Sequence, residues 1–135
     1  MKYKELSKEQ RDKKKARNKI WWKKYCEKYP QKAKEIVRRK NFSRRIRVMQ
    51  KISNNKIISC ENCGCNIEKL LEINHKHGGG RKEMRNYKPT IFYSNILKSK
   101  RKTDDLNVLC KICNILHYCE LKYGKLPYKI MFIKN

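Results

Sequence analysis

Two Cys-x-x-Cys pairs stand far apart in this chain of 135 residues: Cys60-Glu61-Asn62-Cys63 and Cys110-Lys111-Ile112-Cys113. Thiolates are soft ligands, and four of them close a tetrahedral shell around Zn(II). Each pair has the spacing of a metal-binding knuckle. The expectation is therefore a structural zinc on Cys60, Cys63, Cys110 and Cys113 rather than four ordinary buried thiols. Cys65 competes with Cys63, but only Cys60–Cys63 repeats the spacing of the second pair. Cys26 and Cys119 fall on apolar stripes and read as packing residues.

Between the pairs lies Leu71-Glu-Ile-Asn74-His75-Lys-His77-Gly78-Gly79-Gly80. An imidazole at the end of a strand, followed by a glycine turn, is placed to meet a ligand. A nuclease needs a base to deprotonate water and commonly uses a divalent cation to offset charge on the scissile phosphate. Asn74 and Asn114 are candidate oxygen ligands for that cation. The other reading of His75 is a surface histidine in a loop, and the residue chemistry alone leaves both open. Three glycines let backbone N–H groups approach a phosphate without side-chain clash. With His77, Arg81, Lys82 and Arg85 around them, they read as a phosphate-contacting loop rather than a solvated turn.

These residues need elements to position them. Ser7-Lys-Glu-Gln10 has the form of a capping box, so a helix is expected from about Lys8 to Tyr29, stopped by Pro30. Trp22, Tyr25, Cys26 and Tyr29 make its apolar stripe. A second helix is expected from Pro30 to about Ile52. Its early apolar residues (Ala33, Ile36, Val37) and later ones (Phe42, Ile46, Met49) point in different directions, which predicts a bend or break near Asn41–Ser43. Asn54-Asn55 reads as a turn.

Ile67–Ile73 reads as a strand with His75 at its end, and Asp105–Leu109 as a second. The long connection over residues 76–104 is unusual enough to suggest function, with a short helix in Pro89–Lys100. A helix then starts inside the second knuckle and stops at Gly124. Its expected buried stripe is Ile112, Ile115, Leu116, Cys119 and Tyr123, with Asn114 and His117 on the opposite face. The tail is expected to pack back as an edge strand through Ile130, Met131, Phe132 and Ile133.

Charge narrows the class of partner. The formal net charge is +25. Residues 1–57 hold 22 Lys/Arg against 5 Asp/Glu, and residues 58–135 hold 15 against 7. Such density favours a polyanion, nucleic acid before an anionic membrane surface. No apolar run is long enough to span a bilayer. The N-terminus lacks a signal-peptide pattern, which predicts an intracellular protein with reduced thiols. Residues 1–57 thus read as a basic helical nucleic-acid-binding arm, with Arg38, Arg39, Lys40, Arg44, Arg45 and Arg47 as phosphate contacts. Trp21 and Trp22 read as packing residues before base-stacking ones.

The run from Leu71 to Glu83, followed by Asp105-Leu-Asn-Val-Leu-Cys110-Lys-Ile-Cys113-Asn114, resembles the HNH endonucleases. More narrowly, it is similar to the zinc-containing HNH-like proteins of phages, plasmids and microbial genomes. The resemblance covers Cys60 to about Gly124. It implies an α+β protein with a small ββα-metal core over residues 58–135. It implies His75 as general base and one divalent cation, Mg(II) or Mn(II), held by Asn74 and Asn114. In the family the position of Asn74 is usually Asp or His, and the Asn that helps orient the catalytic histidine is here Asp105. His117, one turn beyond Asn114, is placed to approach the cation or phosphate from the helix. The expected activity is metal-dependent hydrolysis of DNA. The alternative is a non-catalytic zinc-containing module that binds DNA or RNA.

Overall fold

The computed structural model describes residues 6–133 and is α+β. Its elements in chain order are α1 (Lys8–Lys28), α2 (Pro30–Ser53), β1 (Leu71–His75), α3 (Gly80–Asn86), α4 (Pro89–Leu97), β2 (Leu106–Cys110) and α5 (Lys111–Tyr123), with a 3-10 turn at Glu68–Leu70 before β1. The chain divides into two compact units between Asn41 and Phe42. The sequence reading drew its boundary at residue 57.

In the first unit the capping box forms as its residues dictate. Gln10 N donates to Ser7 Oγ at 3.2 Å, and Ser7 N donates to Gln10 Oε1 at 2.9 Å. Two of the orphan donors at the start of α1 are satisfied in this way. Pro30 cannot extend α1, because it lacks an N–H, but its fixed φ suits the first position of α2. α1 buries no residue. Trp21, Trp22 and Tyr25 stack along it with ring centroids 5.2–6.4 Å apart, and Lys40 lies 5.8 Å from the Trp22 ring. Trp21 stays exposed. α2 is one unbroken helix, so the predicted break at Asn41–Ser43 does not occur. Two divergent apolar faces along one helix require only different surroundings at its two ends.

The second unit is built on a two-stranded antiparallel sheet, β1 beside β2, with Leu71 opposite Cys110 and His75 opposite Leu106. Alternation along the strands separates two faces. Leu71, Ile73 and His75 share one with Leu106 and Val108; Glu72 and Asn74 share the other with Asn107 and Leu109. Two apolar clusters hold the sheet. Met49, Ile58, Cys60, Cys65, Leu71, Val108, Leu109, Cys110 and Cys113 form one, capped by Ile130 and Phe132. Val48, Phe92, Ile96 and Leu106 form the other. Each fully buried Leu or Val contributes roughly 1.5–3 kcal/mol. The tail packs through Ile130 and Phe132 without forming a strand over the described residues, which corrects the edge-strand expectation.

The face of α5 is also corrected. Cys113 is buried, and Asn114, Leu116, His117 and Glu120 are half-buried, whereas Ile112, Ile115 and Tyr123 are exposed. Cys113 must point at the other sulfurs, and helical spacing then carries residues 116, 117 and 120 inward with it. Residues 112 and 115 are rotated away by the same geometry, however apolar they are.

Candidate functional site

The four predicted ligand cysteines converge. The Sγ atoms of Cys60, Cys63, Cys110 and Cys113 all lie within 4.8 Å of one another. The first pair sits in a tight turn closed by Gly64 N to Cys60 O (2.9 Å) and Cys60 N to Cys65 O (2.8 Å). Gly64 has φ +77°, a conformation that costs a residue with a Cβ. Cys110 ends β2 and caps α5, its Sγ accepting from Cys113 N at 3.4 Å, while Asn62 Nδ2 donates to Cys113 Sγ at 3.3 Å. Burial pushes the Cys63 and Cys113 thiols up. Burial acts the same way on Cys60, but backbone N–H groups of Cys63, Cys110 and Asn62 outweigh it and bring that thiol down to about 7.

Four crowded sulfurs with N–H donors aimed at them suit a cation that offsets their charge on ionisation. The cluster can hold a metal ion, and its donor set fits a structural Zn(II). Cys65 is buried in the core outside it.

His75 closes β1, and its ring is fixed on three sides. Nε2 lies 2.7 Å from Glu83 Oε2 on α3. The ring packs against Phe92 at 6.1 Å between centroids. A Cβ on Gly80 would stand 2.6 Å from Nδ1. Gly80 is thus required for space beside the imidazole, whereas Gly78 (φ +76°) and Gly79 (φ +87°) are required by their backbone conformation. Glu83 is itself held by Arg101, whose Nε and Nη2 donate to its two carboxylate oxygens at 3.0 and 2.8 Å. Arg101 also donates to Asp105 Oδ2 at 2.8 Å. These bonds hold both carboxyl groups below the ordinary range, Glu83 through Arg101 first and then His75, and Asp105 through Arg101. The Arg101 guanidinium is held more firmly protonated, by Asp105 first and then Glu83.

The other expected groups gather near the same strand end. A cleft of about 770 Å³ is lined by His75, Asn74, Asn114, His117, the Gly78–Gly80 turn and Arg81. His75 and Asn74 leave the strand on opposite faces, yet both border this cleft at its end. Asn74 is buried, and its Nδ2 donates to Asn107 Oδ1 at 2.9 Å. Asn114 Nδ2 donates to Glu72 Oε2 at 2.9 Å. His117 Nε2 meets Lys76 O at 3.0 Å, which ties α5 to the residue after His75. Asn114 and His117 therefore belong to the inward side of α5, contrary to the expected opposite face.

The remaining expected contacts divide. His77 and Arg81 line the cleft; Lys82 and Arg85 are exposed on α3. Arg38, Arg39 and Lys40 are exposed on α2 in the first unit. Arg44 and Arg47 line a separate groove. Arg45 turns inward and donates to Leu71 O. Sequence reasoning passed over Glu83, Arg101 and Glu72. Glu83 carries a local signal, since it stands eight residues after His75 and one helical turn after the glycines; Arg101 carries none. Compared with known proteins, the chain matches no family model, no curated protein and no solved structure.

Proposed function

We propose that the second unit is a metal-dependent, HNH-type endonuclease of the ββα-metal kind that hydrolyses phosphodiester bonds in DNA. One observation carries this reading: His75 and Asn114, distant in sequence, line one cleft with the glycine turn and Arg81. With Nε2 committed to Glu83, the tautomer that donates to the carboxylate leaves a lone pair on Nδ1. Nδ1 faces Gly80, which lines the cleft, and a side chain there would stand against this nitrogen.

In the proposed reaction a water gives its proton to His75 Nδ1 and its oxygen forms a bond to phosphorus. The bond from phosphorus to the leaving sugar oxygen breaks, and that oxygen takes a proton from solvent. Arg81, His77 and the N–H groups of the turn bind the phosphate. Oxygen donors suit a hard divalent cation such as Mg(II) or Mn(II). Asn114 and Asn74 would hold it, and Glu72, one hydrogen bond from Asn114, offers the carboxylate that position 74 lacks. Such a cation offsets charge on the phosphate. Zn(II) on the four cysteines is structural.

Plasmid incubated with protein and Mg(II) or Mn(II) tests the reading. Wild type is expected to nick it, and His75→Ala to fall by at least about a hundredfold, the lower end of a general base's contribution. Equal nicking by both proteins would remove His75 from the chemistry.

A second reading has its own observation. The Asn74 side chain donates its Nδ2 to Asn107 Oδ1, which leaves only a neutral carbonyl oxygen for a cation, and no carboxylate stands at that position. On this reading the unit is a zinc-stapled platform that binds DNA or RNA without cutting it. Tight, salt-sensitive binding with no cleavage in either metal selects it.

A further inference from the structure

On the other side of α4 from the histidine lies a second basic groove, of about 680 Å³, between α2 and α4. Arg44 and Arg47, one turn apart on α2, line it together with Thr90, Ser94 and Asn95 of α4 and Lys98 just past that helix. No carboxylate lines it. Among the described residues these three cations have no ion pair and these three polar side chains no hydrogen-bond partner.

Packing and hydrogen bonds join the two helices that frame the groove. Val48 of α2 is buried with Phe92 and Ile96 of α4. Lys51 Nζ crosses from α2 to Ser99 Oγ at 2.7 Å and Leu97 O at 3.2 Å. Arg45, between the two outward arginines, is anchored inward on Leu71 O, which fixes the rotation of α2. Packing thus fixes the backbone segments that bring these three cations to one groove, where no carboxylate offsets their charge and an anion would.

We propose that this groove is a second contact for a phosphodiester backbone, separate from the cleft. Guanidinium forks pair with phosphate oxygens, and Ser, Thr and Asn are the uncharged side chains that commonly donate to them. A phosphate chain offers repeated singly charged groups, which suits a groove several residues long better than one small anion does. The groove carries no base-reading pattern, so its contribution is the same for every sequence. It stands whether or not the cleft cuts.

Binding of 20-base-pair DNA and RNA duplexes, measured by fluorescence anisotropy across a KCl series without added Mg(II) or Mn(II), tests the proposal. In the triple variant Arg44→Gln, Arg47→Gln, Lys98→Gln the slope of log K against log salt should fall by about two to three, equally for unrelated sequences. A control removing as much charge elsewhere, Lys56→Gln, Lys69→Gln, Lys125→Gln, should change it by less than about one. The single variant Asn95→Asp, which adds a carboxylate with almost no change of shape, should weaken binding several-fold. Which duplex responds names the source of the backbone. An unchanged slope in the triple variant, an equal loss in the control, or unaltered affinity in Asn95→Asp would overturn the proposal. So would a loss of binding to anionic vesicles with none to either duplex.

Discussion

At the scale of the residue, the geometry around His75 makes a proposed base depend on groups the proposed reaction never touches. Glu83 fixes one ring nitrogen, Arg101 fixes Glu83, and Asp105 shares Arg101. The resemblance put Asp105 in the place of an Asn that orients the histidine. Here its carboxylate acts two links away, through Arg101 and Glu83. The chain of bonds has a sign in pH. Glu83 is held below the ordinary glutamate range, so its ionised form stabilises the fold above the unfolded value of roughly 4.3, and that contribution is lost as pH falls through the depressed folded value. Glu83→Gln keeps the shape and removes the charge. Its stability deficit in urea should be full at about pH 6–7 and shrink below about pH 4. A deficit that is constant across this range would mean that the charge of Glu83 contributes nothing to the fold.

At the scale of the element, two strands and one helix meet where four cysteine sulfurs converge. A two-stranded sheet is marginal alone in water. β1 and β2 are backed by the two apolar clusters, and the turn carrying Cys60 and Cys63 is joined to the β2–α5 junction at the thiolate cluster. If a metal ties that junction, a strong chelator should open the sheet and leave α1, which buries no residue. Hydrogen exchange resolves this. The amides of β1 and β2 should lose protection on metal removal while those of α1 keep theirs. Protected strands after complete metal loss would show that the apolar clusters suffice.

At the scale of the whole molecule, charge is the dominant fact. Net +25 on 135 residues is more than one small phosphate site requires, and cations stand in the first unit, around the cleft and in the α2–α4 groove. Binding of a polyanion should accordingly be steep in salt. Roughly six phosphate contacts lower affinity by about a thousandfold between about 50 and 200 mM. A near-flat dependence would remove electrostatic binding from either proposed function. Among the described residues no helix is long and apolar enough to cross a membrane.

What could be read from the order of residues was local. The capping box at Ser7, the helix boundary at Pro30, the knuckle spacings, the strand ending in His75 and the stop at Gly124 each depend on a few neighbouring residues whose chemistry admits few conformations. The gathering of the four sulfurs was legible for the same reason, because metal ligation restricts both residue type and spacing. What tertiary structure decided was which side faced which. Ile112 and Ile115 are as apolar as any core residue, but Cys113 sets the rotation of α5 and leaves them outside. Arg45 and Arg101 are indistinguishable in sequence from the cations expected on phosphate, yet packing turns one to a backbone carbonyl and the other to two carboxylates. A side chain's partner across the fold depends on the path of a chain segment elsewhere, and no local pattern carries that.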